Sequence, residues 1–351
     1  MSKVRIGIIG LGFMGSTHFR IYRSLPNAEI VALADVDPAK RKGDISTVNG
    51  NIGNDDNSIP LDMTGVTTYE NGFDLIKDPN VDVVDICVPT PYHKDYMVAA
   101  LKAGKHLFSE KPLCRSLEDA KEIEAAVKEA KGFINIGMCV RAWPEYNDFY
   151  RRFHAGEFGK AMIVDFRRLS RDVSFSGAWE NWFMDGKRAG GALLDMHLHD
   201  TDFITYLLGR PQAVTSFGRS VYSSDGAIDH LVTTYDYGTD GPLVTATGGW
   251  TSAYDVPFEM SFQIICEKAT VRFMSEGYKI YWTDKRVETP VIEVGNLPTG
   301  WHQELSYFVE CVQNNIKPDR YQTFQSVLDA FKVVMAEEKS CNTNQKVVVE
   351  Y

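Results

Sequence analysis

The chain opens on a short, almost wholly apolar run carried by Val4, Ile6, Ile8 and Ile9. That is the pattern of a strand buried on both faces of a parallel sheet. It runs straight into Gly10-Leu11-Gly12-Phe13-Met14-Gly15 and a segment, residues 16–25, that reads as a helix. The alternation then continues. Apolar runs at 30–34, 66–69, 81–88, 106–109 and 133–139 read as strands, with helices over 73–77, 95–103 and 117–131. Residues 43–65, rich in Asn, Asp and Gly, read as a surface excursion. Strands alternating with helices predict an α/β domain over residues 1–140, a Rossmann-type, doubly wound parallel sheet.

After Arg141 the pattern changes. A helix over 146–154 precedes a strand over 161–169, an aromatic loop and a long helical stretch over 191–208. From 213 to 294 the chain becomes runs rich in Val, Thr, Tyr and Phe separated by turn residues, such as 228–237 and 258–266. These predict a large, open, mainly antiparallel sheet. Two helices, 304–314 and 324–338, complete an α+β domain over 141–351. No internal repeat interrupts this order.

The glycine hexapeptide has a physical role at each glycine. Gly10 allows the tight turn, Gly12 admits a pyrophosphate close to the backbone, and Gly15 lets helix and strand pack. The N–H groups and dipole of the helix start favour a bound phosphate. Asp35 ends the second strand 20 residues past Gly15, where a carboxylate would hold the adenosine ribose. It would also repel a 2′-phosphate, so NAD is expected over NADP, with Lys40 and Arg41 close by on the other side of that balance.

Composition narrows the classes. With 351 residues, 44% of them apolar, the chain can bury two cores. The net charge of −10 argues against nucleic acid as a partner, and no apolar run approaches a membrane span. The first strand begins by Val4, so no signal peptide is expected there. The six cysteines form no C-x-x-C pair and read as reduced thiols of a cytoplasmic protein.

Three polar groups carry candidate chemistry. Lys111 sits between Glu110 and Pro112 at a strand end, as do Gly10, Asp35 and Thr90, and ligands of doubly wound sheets gather at such ends. Asp195 and His199, four apart in GGALLDMHLHD, share one face of a helix, with Asp202 further along. Oxidising an alcohol by hydride removal needs a base for the hydroxyl proton, which a histidine oriented by a carboxylate supplies. It also needs a cation for the developing alkoxide, which a lysine supplies. His197 points about 160° away from Asp195 on a helix, so no metal site is expected. In the aromatic loop 175–184, Trp179 and Trp182 are candidates for a sugar-stacking wall, and Trp143 and Trp301 share that ambiguity. His18 reads as structural.

Taken together, GLGFMG, the Asp35 strand end, PTPYH, AGKHLFSEKPL and GGALLDMHLHD resemble, in order and spacing, the Gfo/Idh/MocA family of sugar and inositol dehydrogenases. The resemblance covers nearly the whole chain. It implies that Lys111, Asp195 and His199 form the catalytic set. Cofactor contacts are then expected from Gly10, Gly12, Phe13, Met14, Gly15, Asp35, Thr90, Pro91, His93, Glu110 and Lys111. Arg141 and Trp182 join Lys111, Asp195 and His199 as expected substrate contacts. The resemblance further implies a small sugar or polyol substrate and homodimers or homotetramers packed through the second sheet. Two rival activities stand beside the dehydrogenase. One is glycoside cleavage by transient oxidation with tightly bound NAD. The other is a non-catalytic cofactor-binding regulator, which would tend to lack the lysine or the Asp/His pair. His197 departs from the family pattern, where a small residue is usual, and the 43–65 excursion is longer than expected.

Overall fold

In the computed structural model, residues 2–49, 57–173, 179–223, 226–253 and 255–351 are described. Tight contacts divide the chain into two units. One comprises Met1–Cys139, Ser176–Trp182 and Trp301–Val327, the other Val140–Phe175, Phe183–Gly300 and Leu328–Tyr351. The segment 301–327 thus packs with the N-terminal unit although it follows the second sheet in sequence.

The first unit is built on six strands, β1 (Val4–Ile9), β2 (Ala28–Ala34), β3 (Thr67–Tyr69), β4 (Val83–Ile86), β5 (His106–Glu110) and β6 (Ile134–Gly137). All pair in parallel in the order β3-β2-β1-β4-β5-β6. Val83 and Ile86 are fully buried, and β1 is apolar apart from Arg5, because helices cover the sheet on each side. Those helices are α1 (Phe13–Ser24), α2 (Gly72–Lys77), α3 (His93–Lys102) and α4 (Leu117–Glu129). The topology reverses at the carboxyl ends of β1 and β4, where a doubly wound sheet opens its ligand crevice. The outer edge at β6 is closed by a side chain. Gln322 donates to the Ile136 carbonyl at 2.5 Å and accepts the Ile136 N–H at 3.4 Å, as a further strand would.

The second unit starts with α5 (Pro144–His154) and contains β7 (Ala161–Arg171), the short α6 (Gly186–Ala189), α7 (Leu198–Leu208) and eight further strands. These are β8 (Ala213–Arg219), β9 (His230–Asp236), β10 (Leu243–Ser252), β11 (Glu259–Cys266), β12 (Ala269–Met274), β13 (Gly277–Trp282), β14 (Val287–Glu288) and β15 (Val347–Val348). The nine strands run β14-β13-β12-β11-β7-β10-β9-β8-β15. All pairings are antiparallel except β7 with β10, which is parallel. Alternation sorts its faces. Val164, Phe166, Val244 and Ala246 point into a core closed by α7 and by α9 (Phe324–Thr343), while Ile163, Phe217, Val232 and Leu243 point outward and stay exposed. Helix α8 (Gly300–Asn314) belongs to the first unit, where Phe308 meets Phe108 of β5 with ring centroids 5.8 Å apart.

Candidate active site

In the first unit, β1 ends at Ile9 and the chain turns through Gly10 at φ +92°, where a Cβ would stand 2.6 Å from the Cys87 carbonyl. At Gly15 a Cβ would fall 1.9 Å from the Gly10 carbonyl, so only glycine lets α1 start this close to the strand. Gly12 is different: a Cβ there would meet nothing within 4 Å. It caps α1 with no side-chain hydrogen bond and no acidic residue in the first turn. The opening N–H groups of a twelve-residue helix thus face a space that glycine leaves open, and these residues fit a pyrophosphate.

Asp35, at the end of β2, accepts the Leu11 N–H at 2.7 Å and the Asp37 N–H at 2.9 Å. It ties the glycine turn to the neighbouring strand end while remaining half-exposed. Arg41 donates to the carbonyls of Asp35 at 2.6 Å and Val36 at 3.0 Å, which commits its guanidinium to shaping this loop.

Lys111 is half-buried, between Glu110 at the end of β5 and a cis peptide to Pro112. Its N–H donates to Glu110 Oε2 at 3.1 Å. His93 lies beneath, almost fully buried, with Nδ1 2.7 Å from the Pro112 carbonyl and Nε2 2.8 Å from the Val88 carbonyl. Burial holds its pKa below the usual histidine value, although both carbonyls favour a protonated ring. Expected as a cofactor contact, His93 here braces the two strand-end turns, and Thr90 beside it is also buried. Pro91, half-buried, and Tyr92, exposed, form the outer part of that turn.

The second unit supplies the motif that begins Gly190-Gly191. Both glycines take positive φ, +77° and +72°, and a Cβ on Gly191 would strike the Ile228 carbonyl at 2.5 Å. The next stretch is not a regular α-helix. Leu193–His197 forms a π-helical turn, and α7 begins at Leu198. Across 191–200 only Asp195 and His199 are other than buried. Ala192 and Met196 enter an apolar cluster with Val173, Met184 and Trp250, and His197 faces inward, so the turn has one polar outlet. Widened turns of this kind recur at functional sites.

His197 is fully buried, 3.2 Å through Nε2 from Glu337 Oε1 and from the Tyr235 hydroxyl. The departure from the family pattern is matched across the sheet: a Cβ on Gly248 of β10 would lie 2.6 Å from its Nδ1, so glycine there makes room for the ring. Arg141, expected at the substrate, is fully buried, donating to Asp202 through Nε at 2.8 Å and Nη2 at 2.6 Å, with its guanidinium over the Tyr206 ring. Trp182 is half-buried in the turn Trp179–Met184, and the Trp179 side chain lies outside the described residues. Trp301 packs edge-on against Phe13, 6.5 Å between centroids, at the start of α1.

Comparison with known proteins gives the family. Residues 4–138 match the oxidoreductase family model GFO_IDH_MocA, described as an NAD-binding Rossmann fold, and residues 148–272 match the GFO/IDH/MocA C-terminal domain. The chain belongs to the Gfo/Idh/MocA family. Its first unit is therefore an NAD-binding domain, and the chain an oxidoreductase of that family. A scyllo-inositol 2-dehydrogenase (NAD(+)) of Bacillus subtilis is 28% identical over 90% of this chain and 88% of its own. A myo-inositol 2-dehydrogenase of Thermotoga maritima is 30% identical over 59% of this chain and 55% of its own. Levoglucosan dehydrogenase in complex with NADH and levoglucosan shares the fold with a TM-score of 0.82, 19% identity and all of both chains covered.

Sequence reasoning placed the glycine turn, Asp35 and Lys111 at strand ends, and Asp195 and His199 on one face of a helix. It missed the π turn, the burial of Arg141 and the Glu337 partner of His197. Glu337 stands 140 residues from His197, and no local spacing could signal it. The Gly248-Gly249 pair in a strand was the available hint of a close-packed neighbour.

Proposed function

We propose that this chain transfers hydride between a ring secondary alcohol of a sugar, sugar derivative or inositol and NAD. The observation that carries the reading is the polar outlet on the π turn, Asp195 and His199, in a chain that keeps Lys111 braced at the end of β5. NAD, when bound, supplies the hydride acceptor at its nicotinamide. His199 takes the hydroxyl proton, Asp195 orients the imidazole and stabilises its charged form, and the Lys111 ammonium stabilises the alkoxide-like oxygen. Gly10, Gly12, Phe13, Met14, Gly15 and Asp35 hold the dinucleotide, with Pro91, Glu110 and Lys111 toward its nicotinamide end. Among these acids and bases none needs a metal.

Two further properties belong to the same reading. Ile163, Phe217, Val232 and Leu243 form an exposed apolar face on the second sheet, with Phe217 opposite Val232 and Leu243 opposite Ile163 in register, which suits a second copy of the chain. Six unbridged cysteines suit the cytoplasm. No helix among the described residues is long and apolar enough to cross a membrane.

The test is a panel of inositols, pyranoses and levoglucosan with NAD, followed by NADH absorbance, with Lys111→Met alongside. Net NADH formation that drops by about a hundredfold in Lys111→Met, with NADH affinity changing much less than turnover, supports the assignment. Release of an aglycone without net NADH would move the chain to the elimination mechanism. Normal turnover in Lys111→Met would remove the lysine from the chemistry.

A further inference from the structure

His18 is the buried titratable group of the first unit for which the chemistry above has no use. It sits on α1, fully buried, with its ring edge-on to Phe108 at 5.5 Å and to Tyr22 at 6.3 Å. Nδ1 is 2.8 Å from Asp85 Oδ2 on β4, and Nε2 is 3.1 Å from Glu110 Oε1 at the end of β5. Both ring nitrogens therefore face an acidic oxygen. A neutral imidazole has one N–H and one lone pair, so one nitrogen would meet a carboxylate lone pair to lone pair. A doubly protonated ring hydrogen-bonds Asp85 through Nδ1 and sets its positive charge 3.1 Å from Glu110 Oε1, an ionic contact that is not aligned as a hydrogen bond. Burial opposes that charge and the Asp85 carboxylate favours it, with the His18 pKa raised above the usual histidine value, while burial pushes the Cys87 thiol up and leaves it neutral beside the ring. The titratable groups around the ring are Asp85 and Cys87 from β4 and its end, Glu110 from β5 and Tyr22 from its own helix.

His18, Asp85 and Cys87 also bring three metal-ligating atoms within 4.8 Å of one another. However, the 2.8 Å separation of Nδ1 from Oδ2 is that of a hydrogen bond. Two ligands about 2.1 Å from one tetrahedral zinc stand farther apart, at roughly 3.4 Å.

The carboxyl of Glu110 connects this ring to Lys111. Oε1 faces His18, and Oε2 accepts the Lys111 N–H at 3.1 Å. The carboxyl rests on Gly137 of β6, where a Cβ would stand 2.9 Å from Oε1 and 3.2 Å from Oε2. We propose that His18 is a positioning residue for Lys111, a buried imidazolium that ties Asp85 to Glu110 and so fixes the carboxylate on which the Lys111 backbone docks. This rests on the reading of Lys111 as the group that stabilises the alkoxide. Without the ring's charge, two acidic side chains are buried with no cation between them. Glu110 then shifts off Gly137, and the Lys111 main chain loses its anchor.

Two measurements on the full chain test this. In ¹⁵N-histidine-labelled protein saturated with NAD, His18 (assigned by His18→Gln) should show two protonated ring nitrogens from mildly acid to mildly alkaline pH. A neutral, single-tautomer pattern at neutral pH would overturn the proposal. The second is a double-mutant cycle in kcat with the substrate found in the NADH screen, with NADH affinity and melting temperature recorded for each variant. His18→Phe should lower kcat ~10–100-fold in the native background, the scale of a misplaced catalytic group. In Lys111→Met it should lower kcat less than about threefold, because the group it positions is gone. If His18→Phe folds poorly, His18→Gln, which keeps one donor, takes its place in the same cycle. Equal losses in both backgrounds mean His18 acts only through the fold, and the proposal fails. A Lys111→Met variant with normal kcat instead fails the reading of Lys111 and leaves the labelled-histidine result to decide on the imidazolium.

Discussion

Gly12→Ala separates a glycine kept for a ligand from one kept for the fold. The three glycines of the turn differ sharply in what a Cβ would meet. At Gly15 it falls 1.9 Å from a backbone carbonyl, at Gly10 it adds a 2.6 Å clash to a φ of +92°, and at Gly12 it meets nothing within 4 Å. Alanine at 12 therefore costs the unliganded protein little. Removing glycine's freedom in the unfolded chain stabilises by about 0.4–1 kcal/mol, and alanine as a poorer N-cap than glycine offsets this by about the same amount. The net change stays within about 0.5 kcal/mol, or roughly 1–2 °C in melting temperature for a unit of this size. The methyl group does occupy the space the pyrophosphate needs. Displacing the phosphate from even one or two charge-assisted N–H contacts, at about 1.5–3 kcal/mol each, weakens NADH at least ~10-fold. The assay pairs thermal melting of the unliganded protein with calorimetric titration by NADH. Gly15→Ala serves as the contrast, with an expected loss of several degrees before any ligand is added. An unchanged NADH Kd in Gly12→Ala would refute the placement of the phosphate at the start of α1.

Other outcomes follow from the same geometry. Asp35→Ser should narrow the preference for NAD over NADP in competition titrations, and NADP favoured by the unmodified chain would show that Asp35 does not read the ribose. His199→Ala should lower kcat ~10²–10⁴-fold with melting nearly unchanged. His197→Ala should do the reverse, since it leaves Glu337 buried without its ring partner, a loss of about 1–3 kcal/mol in stability with kcat per folded molecule preserved. Asp202→Ala strands the buried Arg141 guanidinium, so a loss of about 3–5 kcal/mol is expected by thermal melting. A drop of less than about 1 kcal/mol there would mean that water or another acceptor replaces the carboxylate.

The elements that alternation could reveal are the ones the sequence made legible. β1 and β4 read clearly because both faces of each are buried, and the β7 to β13 strands because only one face is. Boundaries shifted where a side chain, rather than periodicity, decides the end. α1 starts at Phe13 instead of residue 16 because Gly12 itself is the cap. The continuous helix expected over 191–208 is broken by the π turn, yet Asp195 and His199 still emerge together. A four-residue step returns to nearly the same side whether the local turn holds slightly fewer or slightly more than four residues. What sequence could not show were contacts between distant segments. The parallel pairing of β7 with β10, the Arg141–Asp202 pair across 61 residues and the Glu337 partner of His197 all depend on how the second unit closes. The ion pair of Arg141 was hidden for that reason. A lone arginine at a domain junction is as compatible with a buried ion pair as with a substrate contact.

The return of 301–327 to the first unit has a consequence for synthesis. The dinucleotide sheet is complete in sequence at Gly137, but Ile136 on its outer edge waits for Gln322, Phe108 for Phe308, and Phe13 at the phosphate turn for Trp301. As the chain leaves the ribosome, the nucleotide domain cannot reach its final form until nearly all of the second unit has been made. During that interval β6 is an open strand edge, the kind of surface that pairs with the wrong neighbour. A fragment ending at residue 140 would hold that incomplete state permanently, aggregating or binding NADH poorly despite containing every residue of the glycine turn.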